Sequence, residues 1–358
     1  QVMVRSILKA LYPLTTYRFN SGGDPVEIPS LTHDQLKEFH RRHYHPSNAF
    51  FYTYGNLPLK DHLSFIEAKV LRSFKQIDPD TDVASQPRWM QPQSVSFPYP
   101  FDKNEDVTQK CQVCTAWLTA DIKDAFEVLV LTLLEQILLG NSASPLRQAL
   151  IDSGLGSALC DGTGFDADNR DTLFVSGLKD VASSDAGRIE GIILGVLRDL
   201  VEKGIDRTLI DSAIHQIEFH RKEITNSPYP YGIKLLLTFS GSWFHGGDPV
   251  KILNFDADLA RLQKELAAGA FFENRIRKYF LDNPHRVTLT LVPDQEMASN
   301  ENNRLRVELD RIKKDLSPSD VDRIKQEAEA LMRLHETEEN IACLPTLGRK
   351  DIPPSVPS

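Results

Sequence analysis

The stretch Ala125 to Leu139, AFEVLVLTLLEQILL, is apolar at almost every position. At that length it predicts a helix buried on all sides. Ahead of it, Val107 to Asp121 carries an alternating core, KCQVCTAWLTA, and predicts a long strand. A second helix is predicted over Ser144 to Ser153, with Pro145 in its first turn, where a missing N–H costs nothing. Strands follow near Ala158 to Phe165 and Thr172 to Gly177, then helices over Ser184 to Glu202 and Arg207 to Thr225. Asp258 to Leu281 reads as one further helix, and Val287 to Val292 as the closing strand.

The flanks are less apolar. Val2, Ile7, Leu8 and Leu11 share one flank of an N-terminal helix, and Thr32 to His43 predicts another, with Thr32 as N-cap and Pro46 beyond its end. Leu36, Phe39 and Tyr44 mark its expected buried side; Asn48 to Gly55 reads as a strand, and Lys60 to Phe74 as a helix through Leu63, Ile66, Val70 and Leu71. Asp78 to Pro100, rich in Pro, Asp, Ser and Gln, reads as a linker or edge segment. Near the end, Asn300 to Leu316 and Ser319 to Asn340 are charged helices joined by Ser317-Pro318. Leu305, Leu309, Ile312 and Leu316 should face Val321, Ile324, Ala328 and Leu331 in an αα-hairpin, followed by an extended Pro-rich tail. Strands and helices in this order give an α+β layer pattern.

One phrase occurs twice. SGGDPVEI spans Ser21 to Ile28 and HGGDPVKI spans His245 to Ile252, each followed by helix, Pro and strand. Two copies of one module explain this, the first truncated. Gln1 is not an initiator Met and the chain starts inside a helical pattern, so a fragment is expected. The expected domains are 1–90, the C-terminal part of a first module; 91–298, a complete second module; 299–342, the hairpin; and 343–358, the tail.

Composition narrows the partners. With 358 residues and 41% hydrophobic content the chain can build more than one core. A net charge of −9 argues against non-specific nucleic-acid binding, which needs clustered cations to displace phosphate counterions. No apolar run reaches the roughly 18 residues of a membrane span, so no membrane insertion is expected. Four cysteines in so long a chain form no disulfide framework, and a reducing compartment follows.

Several clusters could hold metal, and each has a plainer explanation. His215, Glu218 and His220 lie on one helix, but His215 and His220 sit about 140° apart around its axis. His40, His43 and His45 flank Arg41 and Arg42, which would oppose a cation. Cys111 and Cys114 fall in a strand where positions three apart face opposite sides. Cys160 and Cys343 have no helpful sequence neighbours. The GGDP phrases and Gly162-Thr163-Gly164 lack the Lys-Ser/Thr of a phosphate loop and read as turns.

The ordered motifs SGGDP, HYHPSNA and TYGN between Tyr17 and Asn56 resemble the presequence protease branch of the pitrilysin and insulysin clan of zinc metallopeptidases. LLGNSASPLRQALIDSGLG (Leu138 to Gly156), FVSGL (Phe174 to Leu178) and LPTLGRKDIP (Leu344 to Pro353) extend the likeness over essentially the whole chain. That resemblance implies tandem pitrilysin-type α/β modules, two halves joined by a helical hairpin, and a chamber in which unfolded peptides and presequences are cut in the mitochondrial matrix. It also implies zinc, held in the first module by an inverted H-x-x-E-H motif and a downstream Glu, with the motif Glu as general base. No H-x-x-E-H occurs here. In the second module the equivalent positions are Thr132, Glu135 and Gln136, neither outer residue being a zinc ligand, so the motif is degenerate. The expectation is therefore a parent peptidase that uses zinc and is completed by missing N- and C-terminal parts of the same polypeptide. This chain alone is expected to carry no cofactor, metal ligand or catalytic residue and to be inactive, with its substrate-contacting residues unknown. A pseudo-peptidase acting as a structural or peptide-binding subunit is the alternative.

Overall fold

Helix α1 (Val2–Leu11) buries Met3, Ile7 and Leu11, spaced four apart on one face, and Leu8 is only partly buried. The computed structural model describes residues 1–339, 341–344, 346 and 348–352. Helix α2 (His33–His43) begins where expected: the Thr32 hydroxyl accepts from Gln35 N, and the Gln35 side chain accepts from Thr32 N, in a capping box. Its expected buried side is exposed, with Leu36 at 64%, Phe39 at 56% and Tyr44 at 71%. Amphipathic spacing marks the helix, but no described element covers that face. Helix α3 (Leu59–Lys69) buries nothing either, and Leu71–Ser73 continues as a 3-10 turn.

No strand forms over 48–55. Residues 49–54 lack a paired neighbour, and Phe50, Tyr52 and Tyr54 instead lie along a later helix, keeping the period of two without a ladder.

The sheet starts at β1 (Gln93–Pro100) and β2 (Cys111–Asp121). Helix α4 (Ala125–Leu139) covers the whole apolar run and is capped by Asp124, which accepts from Glu127 N. Then come α5 (Pro145–Asp152), the short strands β3 (Ala158–Leu159) and β4 (Gly164–Asp166), β5 (Asp171–Val181), α6 (Ala186–Lys203) and α7 (Arg207–Lys222). Helix α8 (Tyr231–Phe244), which the sequence reading did not anticipate, leads into the second GGDP, α9 (Pro249–Leu253) and α10 (Phe255–Ala267). The expected long helix breaks at Gly269, whose φ of +133° no helix admits, and resumes as α11 (Phe271–Ile276) with a π turn to Leu281. Strand β6 (Arg286–Asp294) closes the unit Gln1–Gln295.

Strand order is β1-β6-β2-β5-β3, with β4 also on β5; β1 runs parallel to β6 and the other pairings are antiparallel. The central strands are covered on both faces, which is why β2 reads as nearly continuous apolar sequence. Val113, Trp117, Phe174 and Leu178 face α4, α6, α10 and α11, whereas Cys114, Ala116, Leu118, Val175 and Leu289 face α1. The edge reading of 78–100 is met by β1.

Both GGDPV phrases make the same local structure at Asp. Asp24 accepts from Val26 N and Asp248 from Val250 N, each at 2.9 Å. The left-handed glycine differs, Gly23 in one and Gly246 in the other, both at φ +80°.

His285 ties α1 and the 85–89 segment to the sheet. Buried completely, it meets the Leu11 carbonyl through Nε2 at 2.9 Å, accepts from Trp89 N through Nδ1 at 3.2 Å, and stacks on the Trp89 ring at 3.9 Å. Burial pushes its pKa down to about 4. Only the neutral ring fits, because a proton on Nδ1 would face the Trp89 N–H. The unfolded chain then binds the proton first, near pH 6.5, so this stability is complete above that pH and is lost as pH falls through about 4. Roughly 2–3 kcal/mol of stability is expected to disappear over that window, read as a falling urea midpoint that His285→Gln flattens.

The second unit, Glu296–Ser358, contains α12 (Met297–Asp315) and α13 (Pro318–Glu336). Ser317 caps α13 in a capping box with Asp320. The expected apolar seam is not buried: Leu305, Leu309, Ile312, Ile324 and Leu331 stay 45–56% exposed. Helix pairs this rich in charge gain little from a narrow seam. In the tail, Ile341–Cys343 and Arg349–Asp351 are 3-10 turns, and 353–358 lies outside the described residues.

Candidate functional site

Helix α4 presents Thr132, Glu135 and Gln136 as half-buried positions on an otherwise buried helix. Thr132 and Gln136 are four apart and share a face, as two metal ligands on a helix would. Neither is available as one. The Thr132 hydroxyl donates to the Val128 carbonyl at 2.9 Å, and the Gln136 amide nitrogen donates to the Gln216 side-chain oxygen on α7. Glu135 turns toward β4. A Cβ on Gly164 would collide with its Oε1, so the carboxylate occupies space that a side chain there would fill. Burial raises its pKa, and a hydrogen bond from Phe165 N offsets part of that rise. These three residues do not fit zinc: one hydroxyl and one amide are committed elsewhere, and one carboxyl leans toward its neutral form.

The amide pair across α4 and α7 was not visible in the sequence. Gln216 lies between His215 and Glu218, which drew attention as candidates, but it stands three residues after the buried Ala213 and so turns toward α4. His215 is exposed, His220 bonds the Gln216 carbonyl at 2.7 Å, and Glu218 pairs with Lys222 at 2.7 Å. The other cluster is also dispersed: His40 stacks on Tyr44, His43 lies against Phe39, and His45 accepts from Ser47 N. Among the described residues no three His, Cys, Asp or Glu side chains gather as a metal site.

Cys111 and Cys114 do face opposite sides of β2, in separate clusters. Cys160, however, has neighbours that its sequence context hides. Cys114 pairs with Gly177 of β5, and Cys160 N donates to the Gly177 carbonyl at 3.0 Å, so the two thiols meet beside a residue with no side chain. They share a hydrogen bond, Cys160 also touches the Thr163 hydroxyl at 3.1 Å, and sharing that proton in a buried site holds Cys114 in the thiol form.

This two-faced sheet, with a motif-bearing helix whose ligand positions are occupied by Thr and Gln, coincides with a family defined by such a domain. Residues 30–217 match the peptidase M16 inactive domain. The chain belongs to the M16 peptidase family. Residues 291–358 match the model of the region associated with the C subgroup of that family, which includes most of β6 and both helices of the second unit. Mitochondrial presequence protease from Xenopus laevis is 34% identical over all of this chain, and presequence protease 1 (chloroplastic/mitochondrial) from Arabidopsis thaliana is 32% identical over 98% of it. The chain spans about a third of these relatives, 35% and 33% of their lengths. A crystal structure of a peptidase M16 inactive domain from Pseudomonas fluorescens shares the fold, with a TM-score of 0.57 over 82% of this chain and 65% of that one at 15% identity. Among the described residues no helix is long and apolar enough to cross a membrane.

Proposed function

We propose that this M16 chain is the non-catalytic central portion of a zinc metalloendopeptidase that degrades presequences and other short unfolded peptides in the mitochondrial matrix. Residues 1–90 would complete the catalytic module, 91–298 would form chamber wall, and 299–342 would link the two halves of the enzyme. The observation that carries this reading is the conjunction of full-length likeness to presequence proteases with a motif helix whose ligand positions are Thr132 and Gln136. Zinc would belong to the catalytic module and would supply an activated water there. Glu135, without a metal beside it, would be a structural acceptor for Phe165 N.

The net charge of −9 suits basic presequence substrates, since opposite charge raises encounter rates. Cleavage of a basic presequence peptide by the longer polypeptide, and none by this chain, is the expected outcome of a direct peptidase assay. Zinc-dependent cleavage by this chain alone would overturn the assignment of Thr132, Glu135 and Gln136 as non-catalytic. No cleavage by either would favour a pseudo-peptidase that holds peptides without cutting them.

A further inference from the structure

The C-terminal turn of α7, the outer face of α8 and the α9–α10 corner enclose a groove on the first unit. One part, of about 240 Å³, is lined by Arg221, Tyr231, Lys234, Leu235 and Phe255. A second part, of about 150 Å³, shares Arg221, Thr238 and Phe255 with it and reaches Ser242. Together they approach the lower end of small-ligand sites, about 300–1,000 Å³.

The charges in this groove do not balance locally. Lys222 is already paired, with Glu218 at 2.7 Å and Asp256 at 3.4 Å. Arg221 lies over the Phe255 ring at 5.9 Å and has no carboxylate partner among the described residues, and neither does Lys234. Glu223 at the rim bonds neither of them. At the inner end the Ser242 hydroxyl is 5% exposed and has no hydrogen-bond partner. A helix C-terminus accounts for basic residues in the last turn of α7. It does not account for Lys234 on another helix or for an unsatisfied buried hydroxyl in the same groove. A buried donor without an acceptor carries a desolvation cost that an oxygen-bearing ligand would remove.

We infer that this groove binds a peptide carboxylate, with Arg221 and Lys234 as its cations, Leu235 and Phe255 as the apolar floor for the adjoining residue, and the Ser242 hydroxyl as an inner donor. The planar guanidinium suits a carboxylate better than a point charge would. A C-terminal carboxylate is common to every linear peptide whatever its sequence, which fits an enzyme acting on many unfolded peptides. The inference rests on the peptide-handling reading above and deepens it by naming an anchor outside the motif region.

The test uses the 358-residue chain and N-terminally labelled ten-residue basic peptides in three forms, followed by fluorescence anisotropy: a free C-terminal acid, its C-terminal amide, and the amide with Glu as its last residue. The acid is expected to bind at least about tenfold tighter than the amide, as loss of one charge-assisted contact implies. Arg221→Gln should abolish that preference and Lys234→Gln should reduce it, with circular dichroism unchanged for both. Recovery of affinity by the Glu amide keeps the carboxylate site and assigns the carboxylate to a side chain. Equal binding of acid and amide, a preference that survives in Arg221→Gln, or no binding of any form overturns the site. Because binding is read without cleavage, each of those results leaves the peptidase reading to its own assay.

Discussion

Thr132→His, Gln136→His and Gln216→Glu, introduced together, are expected to create a site for one Zn(II) per chain, where the unsubstituted protein shows no saturable uptake. Residues 132 and 136 lie one turn apart on α4, so two imidazoles can converge on one ion. The third ligand must come from α7, and the Gln136 and Gln216 side chains already touch. A carboxylate at 216 therefore starts within reach of an imidazole at 136. Structural zinc sites reach about 10–16 kcal/mol. A graft without a supporting shell will fall short of that, and a dissociation constant of about 1 μM, roughly −8 kcal/mol, is the expected result. Competition with a chromophoric chelator measures it. The double variant that retains Gln216 should bind at least about tenfold more weakly, since one anionic ligand is worth more than about 1.4 kcal/mol in such a site. If the triple variant takes up no more zinc than the unsubstituted chain, the α4–α7 contact is ordinary helix packing and not the remnant of a metal geometry.

Glu127→Ala is expected to cost about 3–5 kcal/mol, the range for removing one member of a buried ion pair. Glu127 sits in the first turn of α4 with its side chain 9% exposed; it accepts from the Tyr279 hydroxyl at 2.5 Å, from Arg275 at 3.0 Å and from Lys278 at 3.4 Å. Burial alone would raise its pKa, but the Tyr279 and Arg275 hydrogen bonds outweigh it and hold the carboxyl below the usual range. The same contact and burial push the Tyr279 hydroxyl up, keeping it a donor. Truncation leaves Tyr279 without an acceptor and Arg275 with only the longer contact to Glu265, at 3.4 Å. Urea unfolding of Glu127→Ala beside Tyr279→Phe separates the terms, the second costing about 1 kcal/mol as a single lost hydrogen bond. A depressed carboxylate pKa gives stability that is present above the unfolded value and lost as pH falls through the folded one. Glu127 and His285 thus weaken the fold in the same direction on acidification. A loss below about 1 kcal/mol for Glu127→Ala would mean that α4 is held by packing alone.

Elements whose evidence is local were legible in the sequence. The apolar run of α4, the Thr32 and Ser317 caps, and the opposite facing of Cys111 and Cys114 each depend on residues within a turn or a strand of one another. Elements that need a distant partner were not. Residues 49–54 have strand composition, but a strand exists only when another backbone pairs with it. The break at Gly269 depends on a backbone angle that helical periodicity alone does not reveal. Helix α8 lies between the Ser227-Pro228 segment and the GGDP turn, and its apolar stretch carries no side-chain cap to mark a start. At the motif, the identities Thr132, Glu135 and Gln136 could be read directly, whereas their commitments to Val128, Phe165 and Gln216 depend on backbone geometry and on contacts up to 80 residues away. Arg221, Lys234 and Ser242 belong to the same class, since helix pattern gives their positions but only tertiary structure shows what they lack.

The most direct test of the central claim is zinc content and presequence-peptide cleavage, measured on this chain side by side with the longer polypeptide proposed to contain it. The account predicts one tightly bound zinc and peptide cleavage in the longer protein, with neither in the 358-residue chain. Stoichiometric zinc or cleavage in the short chain would contradict it, because α4 would then hold a working site where the structure shows committed Thr and Gln side chains.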